Sequence, residues 1–277
     1  MIGFLASAVG LYLLFVAALY VFQRGMLYHP DSSLPDLKAS GIQGMSSVSA
    51  RTEDGLTVTS WYSPPRSEDL PTLVYLHGNA GNVGSRTDKV SPYIEAGFGV
   101  MLVGYRGYGG NPGKPTETGL YADARAALSF LESEGAPSEN IVLYGESLGT
   151  AVAVKMASER AAQGGVAALI LEAPFTSIVD AAAHFYPIVP TSLLLKDRYD
   201  SARIIDSVST PVFVIHGELD TTMPIKFARR LFEKAIEPKE SLWFSAAGHN
   251  NLYDFGAAKE VLTFLKRYTD FSVSPKR

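Results

Sequence analysis

Cysteine is absent from all 277 residues. That excludes disulfides, thiolate metal sites, a cysteine nucleophile and palmitoyl anchoring, while leaving the compartment open. Charge is scarce: 19% of residues are Asp, Glu, Lys or Arg, the formal net charge is -4, and Lys and Arg form no run. A nucleic-acid partner, which needs a basic footprint, is therefore not expected. Metal-binding spacings such as His-x-x-x-His and His-Glu-x-x-His are missing, as are a phosphate-cradling Gly-x-x-x-x-Gly-Lys and a dinucleotide Gly-x-Gly-x-x-Gly with its acidic partner. Neither a metal nor a cofactor is expected.

Charge is also missing from residues 2–22. A helix of that length rises about 31 Å, close to the thickness of a bilayer's hydrocarbon core. Residues 1–23 are read as a single transmembrane anchor. The competing reading, a cleavable signal peptide, lacks a basic leading segment and a small-x-small cleavage site here. Tyr12, Tyr20, Phe22, Arg24 and Tyr28 suit an interface, and Arg24 alone leans the following chain towards the cytoplasm. The bilayer is thus an expected partner.

What is present is enough apolar sequence, 47% of the chain, for one α/β domain of ordinary size. After a polar, Pro-containing link (24–45), two strand-like runs at 47–51 and 56–62 flank Asp54-Gly55 as an antiparallel hairpin. Short β-branched runs then follow at 72–76, 100–105, 141–144, 168–172, 212–216 and 240–244. Amphipathic stretches at 84–96, 118–134, 148–163, 225–235 and 257–268 alternate with them. Such alternation predicts a mostly parallel central sheet of about eight strands flanked by helices, occupying residues 46–271, with a tail at 272–277. One segment, 176–209, is too long for a simple loop and carries Phe185, Tyr186 and Leu193 among other apolar residues. It forms either a small cap lining an acyl pocket or a layer packed on the body of the domain.

Chemistry concentrates where Ile141-Val142-Leu143-Tyr144 breaks into Gly145-Glu146-Ser147-Leu148-Gly149. This is a serine on a strained strand-to-helix turn, with glycines letting the two backbones pass closely. A serine hydroxyl needs a base, and the base an orienting carboxylate. Asp220 lies just past a strand end, and His249 follows a strand and a small-residue loop, in the order Ser, acid, His. Glu218 is the alternative acid, and the other histidines are read as structural. An oxyanion needs two fixed donors, for which the amides of Leu148 and of Asn79, in His77-Gly78-Asn79-Ala80-Gly81-Asn82, are the candidates. Arg106 is expected to pair structurally, with Tyr108 a further candidate for the cleft wall.

These motifs, with Phe22-Gln23-Arg24, Tyr28-His29-Pro30, Tyr105-Arg106-Gly107-Tyr108-Gly109, Leu195-Lys196-Asp197-Arg198-Tyr199-Asp200-Ser201, His216-Gly217-Glu218-Leu219-Asp220 and Gly248-His249-Asn250, cover most of the chain. Together they resemble the membrane-anchored branch of the α/β-hydrolase superfamily, which includes bacterial one-span hydrolases and eukaryotic protein depalmitoylases. The resemblance implies the α/β-hydrolase fold, with Ser147 as nucleophile, Asp220 as acid, His249 as base, and Asn79 and Leu148 as the oxyanion hole. It departs at Thr150, where many relatives have glycine, and in lacking the depalmitoylases' cysteine-rich amino end. The expected activity is hydrolysis of acyl esters or thioesters near a bilayer. The alternatives are a serine aminopeptidase of the same fold or a catalytically silent binding protein.

Overall fold

The computed structural model describes residues 2–269, so Met1, the end of the expected domain and the 272–277 tail lie outside the described residues. The chain opens with helix α1 (Ile2–Leu27), apolar on every side, with a mean hydropathy of 2.3 over Gly3–Leu27. It is long and apolar enough to cross a membrane. The helix runs four residues beyond the expected end at residue 23, because Arg24 to Leu27 pack on the rest of the molecule instead of forming a loose link.

The strands follow in order: β1 (His29–Pro30), the hairpin β2 (Ser46–Arg51) and β3 (Thr57–Ser63), β4 (Thr72–Leu76) and the two-residue β5 (Ala80–Gly81). Then come α2 (Thr87–Glu95), β6 (Gly99–Leu102), α3 (Glu117–Ser133), β7 (Ile141–Glu146), α4 (Leu148–Arg160) and β8 (Ala168–Glu172). The insertion holds α5 (Ile178–Phe185) and the single turn α6 (Thr191–Leu194), after which β9 (Val212–Gly217), α7 (Ile225–Lys234), β10 (Lys239–Phe244) and α8 (Ala257–Tyr268) complete the domain.

Eight strands form one sheet in the order β10-β9-β8-β7-β4-β6-β3-β2, parallel from β10 to β6, with β3 antiparallel to both β6 and β2. The central strands are buried on both faces, which is why they read as unbroken apolar runs instead of alternating ones. Helices α3, α4 and α7 cover one face and α2 and α8 the other. Helix α3 illustrates the local logic. Thr116 caps it by accepting from the Gly119 amide, Leu120, Ala124, Ala127, Leu128 and Leu131 make its inward stripe, and Gly135 follows its end with a φ of 87°.

Two expected elements differ. The expected 84–96 helix is split, a 3-10 turn at Val83–Arg86 capped by Asn82 leading into α2. The expected 100–105 strand ends at Leu102, since Gly104 turns against the Thr59 backbone so closely that an ideal Cβ would fall 1.9 Å from the Thr59 oxygen. The expected 24–45 link is likewise not free. Its β1 pairs in parallel with β5, just after the Asn79 loop.

Candidate active site

Central strand β7 delivers Ser147 to the carboxyl end of the sheet, where open α/β sheets place their sites. The serine sits at φ 50° and ψ -116°, a conformation an L-residue holds only under constraint. The constraint is visible: its amide donates to the Glu172 carbonyl at 2.8 Å, and its carbonyl accepts from the Thr150 amide at 2.9 Å and the Thr150 hydroxyl at 2.6 Å. Thr150, the departure from glycine, therefore ties down the turn. An ideal Cβ on Gly149 would fall 1.9 Å from the Leu76 oxygen, and one on Gly145 2.5 Å from the Thr150 Cα. No larger residue fits where strand and helix cross.

Loops from β9 and β10 meet opposite the serine. His249 Nε2 lies 3.0 Å from Ser147 Oγ and its Nδ1 2.6 Å from Asp220 Oδ2. With the carboxylate accepting, Nδ1 carries the proton and Nε2 accepts from the serine hydroxyl. The two loops are laced together, Glu218 N to the Phe244 oxygen at 2.9 Å and Leu219 N to the Ala247 oxygen at 3.0 Å, while Asn251 Oδ1 accepts from Gly248 N. Glu218, the alternative acid, turns outward to Arg229.

Asp220 is more heavily bonded than its sequence position suggests. Its Oδ1 accepts from the amides of Thr222 at 2.8 Å and Met223 at 2.7 Å, and its Oδ2 is 3.2 Å from His216 Nε2. Both near neighbours of that nitrogen, Asp220 and the Met223 carbonyl at 2.8 Å, are acceptors, so His216 shares one N–H between them. Burial by itself raises the Asp220 pKa, but the bonds from His216, His249 and Met223 overcome it and hold the carboxyl well below the usual carboxylate range. Spacing alone could have suggested His216, four residues before Asp220 at the same strand end, but nothing in the sequence orients its ring.

The Asn79 loop abuts Ser147: an ideal Cβ on Gly78 would lie 3.4 Å from Ser147 Cβ. Its carbonyl accepts from His29 N at 2.9 Å and Tyr108 Oη at 2.8 Å, and its side chain donates to the last carbonyl of α1, that of Leu27, at 2.7 Å. Among the described residues, neither the Asn79 nor the Leu148 amide donates to a backbone carbonyl in the surrounding turns. Tyr108 thus does not sit where expected. It is buried beneath the loop as a brace, because its ring packs on His77 and Tyr105. His77 itself is fully enclosed, and burial pushes its pKa down to about 4, so it is a neutral packing residue.

Beside the elbow lies a network the sequence did not reveal. Glu146 accepts from Arg86 at 2.7 Å and Tyr75 at 2.9 Å, and Lys89 bridges it to the buried Glu172 at 2.7 Å. Arg86 also donates to the Ala80 carbonyl at 3.0 Å, linking the elbow strand to the end of the Asn79 loop. Burial works against ionisation of Glu146, yet Lys89 and Arg86 outweigh it and bring its pKa down to about 2. Arg106, expected to be structural, pairs with Asp54 and Asp123.

Beside this centre is a cavity of about 300 Å³ between α1 and the insertion. Phe185 and Tyr186 line it. Leu193 does not: it stands 83% exposed on the outer side of the one-turn α6, and Leu194 and Leu195 face the cavity in its place. Among the described residues no cluster of three His, Asp or Glu side chains is set to hold a metal ion.

The chain is 39% identical over 231 residues to the Mycobacterium tuberculosis protein Rv2307c, covering 83% of this chain and 81% of that one. Human α/β hydrolase domain-containing protein 17B is 35% identical over 196 residues, 69% of this chain and 64% of its own length. The family described as serine aminopeptidase, S33, matches residues 68–198. This chain belongs to the α/β-hydrolase family. The fold of this α/β-hydrolase is also that of a Pyrococcus furiosus esterase, with a TM-score of 0.68 at 20% identity over 87% of this chain and 99% of the esterase. The family match ends at residue 198, so it contains Ser147 and Asn79 but neither Asp220 nor His249.

Proposed function

We propose that this α/β-hydrolase is a membrane-anchored serine hydrolase that cleaves carboxylic esters or thioesters of acyl substrates through an acyl-enzyme. The observation that carries the reading is the continuous line from Ser147 Oγ through His249 to Asp220, at 3.0 and 2.6 Å. Ser147 Oγ attacks the carbonyl carbon as His249 Nε2 takes its proton, and the oxyanion that forms is met by the Asn79 and Leu148 amides. The carbonyl re-forms as the C–O or C–S bond breaks, with His249 returning the proton to the leaving group. A water, deprotonated by the same histidine, then releases the acid.

Support for an anchor over a cleaved signal comes from how α1 is used. Arg24 pairs with Asp197 at 2.7 Å, Gln23 bonds both Leu194 and Lys196, and Leu27 holds Asn79. Cleaving the helix away would strip these partners from the site. Arg24 favours the catalytic domain on the cytoplasmic side.

A serine aminopeptidase would need a free carboxylate for the substrate's ammonium. The one carboxylate on the cavity wall, Asp197, is already engaged by Arg24. A fluorophosphonate probe tests the main reading: it should label the native protein and not Ser147→Ala. Equal labelling of both, or no turnover across a panel of acetyl to hexadecanoyl esters, would remove it and leave a silent binding protein.

A further inference from the structure

The insertion and the anchor helix form one unit, and their heights can be compared. The Tyr12 hydroxyl donates to the Ile188 carbonyl at 2.7 Å, so the tip of the insertion reaches Tyr12 along α1. Arg24 is the charged residue of α1, and from Tyr12 to Arg24 is about 18 Å of helix at 1.5 Å rise per residue. A bilayer's hydrocarbon core is about 30 Å thick, so a spanning helix whose charged end stays at the interface must carry more than half that depth alongside the insertion.

The insertion is dressed for such a position. No charged side chain occurs from Phe185 to Leu195, and Phe185, Ile188 and Leu193 are 50%, 69% and 83% exposed. Irregular backbone is tolerated in hydrocarbon only where its polar groups are satisfied. Tyr12 satisfies the Ile188 carbonyl, and Gln23 takes the Leu194 carbonyl and the Lys196 amide. Charge returns at Lys196, whose ammonium lies 4.3 Å from the Tyr20 ring, and at Asp197, paired with Arg24. Those are contacts suited to the interface.

The cavity lies within this unit. Leu19, Met26 and Leu27 of α1 form one wall, facing Ala182, Phe185 and Val189. Its lining includes Leu27, whose carbonyl accepts from Asn79, and Thr222, whose amide donates to Asp220, so direct neighbours of both halves of the reaction centre border it. We propose that the insertion sinks with α1 into one leaflet and that the cavity between them receives, laterally from that leaflet, the acyl chain of a membrane-resident ester or thioester, bringing its carbonyl to Ser147. This rests on Ser147 being the nucleophile of an ester hydrolase. The anchor is then a wall of the substrate site as well as a tether.

The absence of cysteine makes depth measurable in the full chain reconstituted in phosphatidylcholine vesicles. An environment-sensitive fluorophore on Ile188→Cys should be quenched by lipids bearing a mid-chain nitroxide several-fold more strongly than one on Glu139→Cys, before the amino end of central strand β7 and so at the end of the sheet away from the site. Equal quenching at the two positions overturns the proposal. Turnover gives a second reading. Met26→Trp and, from the facing wall, Ala182→Trp should each lower the ratio of kcat/KM for a dodecanoyl ester to that for an acetyl ester by about tenfold, the scale on which pocket shape discriminates. An unchanged ratio in both variants, with wild-type turnover intact, overturns the cavity assignment alone. Absence of wild-type turnover at every chain length overturns the hydrolase reading and the cavity with it.

Discussion

Asp220 accepts four hydrogen bonds, two from amides and two from histidines, which leave its carboxylate one orientation towards His249. Replacing it with asparagine would keep the shape but reverse the preferred tautomer of His249, putting the Nε2 proton where the serine proton must go. We expect Asp220→Asn to lower kcat by about 10⁴-fold with KM little changed, measured on a short ester. A small loss would mean that the histidine is oriented by something else. At this scale the meeting of Ser147, Asp220 and His249 was legible, because all three fall just past strand ends in a fixed chain order. Tyr108 was misplaced and His216 undervalued, because which way a ring points is settled by its neighbours: His77 and Tyr105 for one, Met223 and Asp220 for the other.

Strand β7 and helix α4 cross so closely that the intervening turn has no room for a side chain at Gly149. The clash in Gly149→Ala is with backbone, the Leu76 carbonyl of the neighbouring strand, and cannot be relieved by a rotamer change. We expect a loss of about 4 kcal/mol or failure to fold, read as a fall in the thermal midpoint of the detergent-solubilised protein. An unchanged midpoint would mean that the elbow is looser than its geometry implies. The eight sheet strands were legible because apolar runs bounded by turn residues carry a strong signal. Strands β1 and β5, two residues each, carry no periodicity, and their pairing exists only because α1 brings His29 to the Asn79 loop. The same docking extends α1 past the apolar run to Leu27.

Across the whole molecule, strand β7, its neighbour β8 and helix α2 are held by Lys89 between Glu146 and Glu172. Removing that ammonium strands a fully buried carboxylate, so Lys89→Met should destabilise the fold by about 3–5 kcal/mol in a denaturation series. A neutral outcome would show the network to be incidental. Its pH sign follows from Glu146, whose folded pKa of about 2 lies below its ordinary value of 4.5. A depressed carboxylate contributes stability that is fully present above the unfolded value and is lost as pH falls through the folded one. Unfolding stability should therefore decline on acidification from pH 4.5 towards 2, and Glu146→Gln should flatten that slope. Composition and order by themselves determined the α/β class, the one long apolar helix and the three residues at the centre, because these depend on local periodicity and on which residue types the chemistry requires. Tertiary structure alone decided the bracing of Asp220 and the Asn79 loop, the buried ion network, and the joining of α1 to the insertion around a cavity. Each of these arises from contacts between segments far apart in the chain, and no local pattern encodes which distant surfaces will meet.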